Sequence, residues 1–292
     1  FATTTTQLED GTQEVVMALD ITPEARMEYV YKIYNTGNPS RDYVIDFAIR
    51  QRGMAPHVSE KNEISIVWEN RANHNERGFQ NENMASTITF WENEDDEMEE
   101  MDSDGSNEHH ANIGWVALKQ QYFSSVFLSA EHLNADMSFV SSTNGGLDYL
   151  KAYKTHLYVA FSAEQPTYNF AFYYGPNDFK ILKGVTFNGE DAHLEDLIPM
   201  GGWLVGWINK ILTIPVFNWL KDHGVGFGLI ILILTLLIKL IILPLTYKSY
   251  MSTAKMRAIR PELEALNAKY PKQEDAMKKQ QATMQLYQQA GI

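Results

Sequence analysis

The sequence predicts an α+β membrane protein in which an extracytoplasmic β-sandwich is followed by helices. Residues 1–200 contain many short segments rich in aromatic and β-branched residues. An apolar run from Val225 to Leu245 is about 31 Å long as a helix, enough to cross the hydrocarbon core of a bilayer. Residues 1–200 carry 13 basic and 32 acidic side chains (net −19), whereas residues 201–292 carry 11 and 5 (net +6).

These observations divide the chain into four segments. We expect a periplasmic β-sandwich domain at 1–198, an interfacial amphipathic helix at 199–222, a transmembrane helix at 223–247 and a truncated cytoplasmic helical hairpin at 248–292. The basic residues after the apolar run indicate the cytoplasmic side, because Lys and Arg accumulate there. No signal peptide precedes Phe1, although an exported domain needs one. We therefore expect the sequence to be the middle part of a larger membrane protein.

The first strands form a predicted hairpin. Met27–Tyr34 and Tyr43–Ile49 are rich in aromatic and β-branched residues, and the residues between them favour a turn. Further predicted strands, most with alternating hydrophobicity, are Ile64–Trp68, Ser86–Trp91, Phe123–Leu128, His156–Ser162 and Tyr168–Tyr174. Many short strands with few helical periods favour a sandwich.

A strongly acidic run follows the fourth of these strands. Nine carboxylates lie between Glu92 and Asp104, without the order and central glycine of a calcium-binding loop. Such charge blocks are usually solvated loops. We also place His109 and His110 in an exposed loop, because adjacent side chains rarely converge on one metal ion.

The segment before the apolar run has the composition of an interfacial helix. Trp203, Trp207 and Trp219 suit the headgroup region of a membrane, where amphipathic rings settle. Pro215 is expected to break this helix. An ordinary buried helix of the β domain is the alternative.

Lys239 is the only charged residue in the apolar run. A lysine near the middle of a membrane helix costs roughly 2.5–3.5 kcal/mol and normally faces protein or water. Its position in the inner half of the span leaves a second interpretation, in which the side chain reaches the cytoplasmic headgroups and only anchors the helix.

Two helix-favouring segments, Met251–Asn267 and Gln273–Gln289, predict an antiparallel hairpin after the span. Their basic surface could attract anionic lipid or ribosomal RNA, or could serve only to set topology. The basic residues in question are Lys248, Lys255, Arg257, Arg260, Lys269 and Lys272.

The sequence lacks the motifs of ATPases, lipases and metalloproteases. There is no Gly-rich phosphate loop, no nucleophile elbow, no zinc-binding His-Glu pair and no cysteine. We therefore expect no cofactor, no metal and no catalytic residue. A glycosidase carboxylate pair could still lie among the acidic residues without a motif.

The residues from Phe227 to Leu263 resemble the second transmembrane helix and the following cytoplasmic hairpin of the YidC membrane-protein insertases. The resemblance lies in Phe227-Gly-Leu-Ile-Ile, in Leu234 to Lys239, in Leu243-Pro-Leu-Thr and in Arg260-Pro-Glu-Leu. Gly114 to Phe123, Tyr174-Gly-Pro and Gly202-Trp-Leu resemble landmarks of the family's periplasmic domain and interfacial helix. Before about residue 110 the resemblance is weak.

The resemblance implies a twisted, mutarotase-like supersandwich in the periplasm and a five-helix core with a hydrophilic groove. Lys239 stands where many members have a groove arginine. It also implies a multi-pass protein of the bacterial inner membrane, without enzyme activity, that receives nascent membrane proteins beside the ribosome, alone or with the Sec translocon, and releases them to membrane lipids. DNA and small-molecule substrates are not expected. The first and the later transmembrane helices would be missing from this sequence, so we expect it to insert nothing by itself.

Two other classes of function stay open at this point. One is a membrane-tethered periplasmic protein that binds or cleaves glycans, in which carboxylates of the β domain would matter and Lys239 would be incidental. The other is a single-pass signalling protein whose helical hairpin transmits a state inward.

Overall fold

The structure, a computed structural model, describes residues 1–58, 63–141, 149–162, 164–201, 203–270 and 276–290, apart from the side chains of residues 203, 204 and 276. The chain divides into two compact units, Phe1–Pro199 and Met200–Ile292. The first unit is built from antiparallel strands and the second from helices.

The strands of the first unit are β1 (Ala2–Gln7), β2 (Gln13–Asp20), β3 (Arg26–Ile33), β4 (Val44–Arg52), β5 (Glu63–Ala72), β6 (Thr87–Glu92), β7 (Glu97–Glu100), β8 (Glu108–Lys119), β9 (Phe123–Ser141), β10 (Lys151–Ala160), β11 (Thr167–Pro176), β12 (Thr186–Phe187) and β13 (Glu190–Asp191). Its helices are α1 (Pro39–Asp42), α2 (Phe79–Ala85) and α3 (Phe179–Lys183), with 3₁₀ turns at Ala55–His57 and Leu194–Leu197.

One hydrogen-bonded network joins eleven of these strands. The order is β1-β2-β3-β4-β11-β9-β8-β6-β7, and β10 pairs with β9 and β5. The long strand β9 connects the two layers of the domain, because its first part pairs with β11 and its last part with β10. Trp68 on β5 packs on Phe127 and Phe172 of the other layer, with ring centroids 6.3 and 6.2 Å apart. The predicted antiparallel β domain followed by helices is confirmed, and its two layers belong to one folded sheet.

Two apolar cores stabilise the domain. The larger lies between the layers and contains the buried rings of Phe90, Phe127, Tyr153 and Phe170. The smaller lies on the other face of the sheet, where Trp115, Tyr173, Leu182 and Leu194 are buried together, so that the segment carrying α3, β12 and β13 covers that face.

The predicted hairpin is formed by β3 and β4, which pair antiparallel from Arg26↔Arg52 to Ile33↔Ile45. Its connection contains the short helix α1, which the sequence did not predict. Asn38 caps this helix by accepting a hydrogen bond from the Ser40 N–H (3.2 Å), and Pro39 occupies its first turn.

The prediction that His109 and His110 lie in an exposed loop is wrong. Both are on β8, whose register with β9 places His109 opposite Asp136, with Nδ1 2.7 Å from Oδ1. The His110 ring packs on Phe90 at 4.1 Å. Hydrogen bonds from His109 and Tyr158 lower the pKa of Asp136.

The acidic run is also more ordered than a solvated loop. Glu97–Glu100 forms β7, which pairs antiparallel with β6. Charged residues have low strand propensity, so the pairing with β6 rather than local composition decides the structure of this segment.

The helices of the second unit are α4 (Trp203–Ile208), α5 (Ile214–Asp222), α6 (Phe227–Ala258), α7 (Arg260–Lys269) and α8 (Ala276–Ala290). A π-helical turn, Asn209–Thr213, joins α4 to α5 without a break. The expected break at Pro215 is therefore wrong. Pro215 lies in the first turn of α5, directly after the π turn, at a position where proline is tolerated.

Helix α6 is longer than the predicted transmembrane helix. Its 32 residues run through Pro244 to Ala258, about 48 Å. The expectation of a separate helix beginning at Met251 is wrong, because α6 continues to Ala258 and is capped by Ile259, after which α7 begins with Arg260 and has Pro261 in its first turn.

Candidate functional site

One side of α6 is held against α5. Ile230 and Leu234 are buried with Leu220, and Val216 and Phe217 pack against this cluster. The rings of Phe217 and Phe227 stack with centroids 6.2 Å apart. These contacts define which face of the first half of α6 is covered within the chain.

Lys239 lies on the opposite face of α6. Residues of an α-helix rotate by about 100° each, so Lys239 is turned by about 180° from Ile230 and about 140° from Leu234. Its side chain is exposed. The cation is therefore directed away from α5.

Two hydroxyl groups extend the polar face around Lys239. Thr235 and Thr246 stand four residues before and seven residues after it, which places them on the same side of the helix. Each is exposed and donates a hydrogen bond back to a helix carbonyl, to Ile231 (2.7 Å) and Ile242 (3.0 Å). We call Thr235, Lys239 and Thr246 the polar stripe. The two threonines were not predicted as site residues, although their helical spacing from Lys239 identifies them.

The rest of α6 has the character of a membrane helix. It is long and apolar enough to cross a bilayer, and only 11% of its most apolar stretch is buried within the chain, which distinguishes it from a core helix. Lys239 lies about 18 Å along the axis from Phe227, and Lys248 about 14 Å further on. Lys239 is thus well separated from the first basic residue beyond the apolar stretch.

The tryptophans predicted at the interface lie on α4 and α5. Trp207 and Trp219 are each 60% exposed, an unusual state for so large an apolar side chain. The Trp219 ring also packs on His223 at 4.5 Å. Trp203 begins α4, and its side chain is outside the described residues.

The predicted basic residues are distributed over the end of α6 and over α7. Lys248 and Arg257 are exposed on α6, and Lys255 beside them is partly buried. Arg260 forms an exposed ion pair with Glu264 at 3.2 Å, and Lys269 is exposed at the end of α7. Lys272 lies outside the described residues.

Comparison with known proteins identifies the relationship. The family model of the YidC periplasmic domain matches residues 1–215, and that of the 60Kd inner membrane protein matches residues 219–292. The chain belongs to the YidC family. It is 34% identical to the membrane protein insertase YidC of Bacteroides fragilis over 284 residues, which are 95% of this chain and 45% of that protein.

Other YidC proteins are similar to this chain to the same degree. The membrane protein insertase YidC of Phocaeicola vulgatus is 34% identical over 295 residues (98% of this chain, 46% of that protein), and that of Porphyromonas gingivalis is 35% identical over 236 residues (77% and 37%). The chain thus spans less than half the length of the curated relatives it matches. The resemblance stated from the sequence is confirmed, as is the location in the inner membrane with a periplasmic domain.

Proposed function

We propose that this chain is part of a membrane protein insertase and that the polar stripe of α6 contacts the substrate. The observation that carries the proposal is the position of Lys239, exposed on the face of an apolar helix opposite the face that packs on α5. A cation at that depth is costly in lipid, so it is retained where protein or water faces it.

The chemistry of the stripe suits a transient receptor for polar segments. A nascent membrane protein carries backbone and acidic groups that are costly in hydrocarbon unless they find partners. Lys239 supplies a positive charge to a passing carboxylate, and the apolar flanks of α6 let the neighbouring apolar segment move into lipid. Lysine lacks the planar fork of arginine, so it stabilises a carboxylate without fixing its orientation. No covalent step is required, and we propose no enzyme activity.

The helices before and after the polar stripe also fit a role in membrane protein insertion. The exposed Trp207 and Trp219, together with Trp203, would place α4 and α5 at the outer membrane interface. Lys248, Arg257 and the basic residues of α7 would face the cytoplasm, where they could contact anionic lipids and the ribosome. Nascent membrane proteins are the proposed substrates, received from the ribosome directly or beside the Sec translocon.

Site-specific photo-crosslinking tests the proposal. A photo-reactive residue is placed at position 239 of the complete protein, which is then presented with ribosomes stalled during synthesis of a short membrane protein. Position 241 is the matched control, because Ile241 is two residues away at almost the same depth but turned by about 200° from Lys239.

We expect crosslinks from position 239 to the nascent chain that decrease as the chain lengthens, and much weaker ones from position 241. Labelling of lipid alone from position 239 would mean that Lys239 only anchors the helix. Equal labelling from both positions would contradict a substrate-contacting face.

A further inference from the structure

Three potential metal ligands lie close together within the first unit, far in sequence from α6. Asp191, His193 and Glu195 each offer one ligand atom, and these atoms lie within 4.8 Å of one another. The residues between them, Ala192 and Leu194, are buried in the smaller core. The short distances between the three ligand atoms show that these polar side chains are turned toward the same region.

The backbone of this segment is fixed from several directions. The indole N–H of Trp115 donates a hydrogen bond to the Ala192 carbonyl (2.9 Å), and the His193 N–H donates to Oδ1 of Asp191 (3.0 Å). The His193 imidazole stacks on Trp91, with centroids 4.9 Å apart and planes at 9°. The cluster is therefore held in place before any ligand arrives.

Glu195 provides a separate indication of a missing partner. Its Oε2 is enclosed, with no hydrogen-bond partner within the described part of the chain. An enclosed carboxylate oxygen without a partner is costly, and a bound cation would satisfy it, as a bound water would. His193 has a left-handed backbone (φ 51°), a conformation in which His, Asn and Asp are enriched among non-glycine residues.

We propose that Asp191, His193 and Glu195 bind a divalent transition-metal ion, for which Zn²⁺ has the fitting ligand preference. Two carboxylates and one imidazole are ligands that Zn²⁺ takes in proteins. A tetrahedral ion with bonds of about 2.1 Å holds its ligands about 3.4 Å apart, so the three side chains need only a small closure. The fourth position is left for water or another ligand.

The cavity beside the cluster indicates what the ion would connect. It has a volume of about 420 Å³ and is lined by Asp191 and His193 together with Asp96, from the turn between β6 and β7. Asp96 is the residue of the acidic run that lines this cavity. With Asp96 as a fourth ligand, a metal ion here would link β13 and the following 3₁₀ turn to the turn between β6 and β7.

Zinc titration of the full chain in detergent micelles tests the site. Isothermal titration calorimetry with Zn²⁺ is compared between the wild type and the variants His193→Asn and Glu195→Gln. Asparagine tolerates the left-handed backbone of residue 193, and glutamine preserves the shape of residue 195. Glu190→Gln is the matched control, because Glu190 lines the same cavity outside the cluster. Near-ultraviolet circular dichroism monitors the fold of each variant.

We expect one equivalent of Zn²⁺ to bind the wild type, reversibly with EDTA, and to raise its melting temperature. His193→Asn and Glu195→Gln should each weaken binding at least tenfold and lose the rise in melting temperature, while Glu190→Gln stays within about twofold of the wild type. No saturable binding at micromolar Zn²⁺ would overturn the proposal. Equal affinity in all four proteins would also overturn it, because the ions would then be bound by other acidic residues.

Discussion

Lys151 is a buried amine, and its titration should make the stability of the β domain depend on pH in the alkaline range. The side chain is 5% exposed, and its Nζ donates a hydrogen bond to the Ser86 carbonyl and lies 4.2 Å from the ring centroid of Phe139. Burial lowers the pKa of Lys151 from 10.5 to about 8, partly opposed by the charge of Glu100.

The direction and size of the effect follow from proton linkage. Between pH 8 and pH 10.5 the unfolded chain keeps the proton that the folded chain has lost, so the free energy of unfolding rises with pH in this window. The free energy of unfolding should rise by about 3 kcal/mol in total across this window. Below pH 8 the contribution of Lys151 to it no longer changes with pH.

The assay is urea unfolding in mild detergent between pH 7 and pH 10.5, followed by near-ultraviolet circular dichroism, for the wild type and Lys151→Met. The difference in unfolding free energy between the two should shift in favour of the wild type by up to about 3 kcal/mol as the pH rises. Lys154→Met is the control, because Lys154 is on the same strand with its side chain 55% exposed. Parallel pH curves for the wild type and Lys151→Met would refute the reasoning that burial destabilises the charged amine.

Two further predictions concern the packing of the β domain. Gly105→Ala should cost about 2–5 kcal/mol, because residue 105 has φ +70° and an added Cβ would meet the Phe139 carbonyl oxygen. Urea unfolding should show a smaller loss of about 1–2 kcal/mol for Gly11→Ala, where φ is +84° and the space is open, and equal losses would contradict the steric argument. Trp115→Phe should cost about 1–3 kcal/mol by leaving the Ala192 carbonyl without its donor, and an unchanged melting temperature would count against that role.

Sequence patterns predicted the strands whose composition matches their place in the sheet. Met27–Tyr34, which is rich in aromatic and β-branched residues, corresponds to β3, and Tyr168–Tyr174, which is rich in aromatic residues, lies within β11. Strand β8 was missed. Its last part, Trp115–Lys119, is buried on both faces, so alternation is absent there, and its first half begins with charged and histidine residues.

Tertiary contacts explain most of the other differences. Strand β7 is composed almost entirely of glutamate, and only its pairing with β6 makes it a strand. The proposed metal-ligand cluster is not predictable from the density of acidic residues in the sequence. The convergence of Asp191, His193 and Glu195 depends on the fold of β13 and the 3₁₀ turn that follows it.

The candidate face of α6 was only partly predictable. Lys239 stands out in the sequence as a lone charge, but which side of the helix it occupies relative to α5 depends on the packing of Ile230 and Leu234. That packing separates a covered face from the polar stripe. The packing therefore identifies the side of α6 on which the charge of Lys239 lies.

Exchanging charges between Lys239 and a substrate tests the central claim most directly. In the complete protein, the insertion rate of a short membrane protein carrying one intramembrane aspartate is compared among wild type, Lys239→Arg, Lys239→Gln and Lys239→Glu. A substrate with that aspartate replaced by leucine serves as the control. Loss of the positive charge should lower the insertion rate of the acidic substrate at least tenfold, since a close ion pair in a low-polarity site is worth several kcal/mol.

Lys239→Arg should therefore retain insertion of the acidic substrate, Lys239→Gln should lose it at least tenfold, and Lys239→Glu should lose it further but recover when the substrate aspartate is changed to lysine. The leucine substrate should be inserted equally by all four proteins. Equal insertion of the acidic substrate by Lys239→Gln and the wild type would contradict a substrate-binding role for the Lys239 charge.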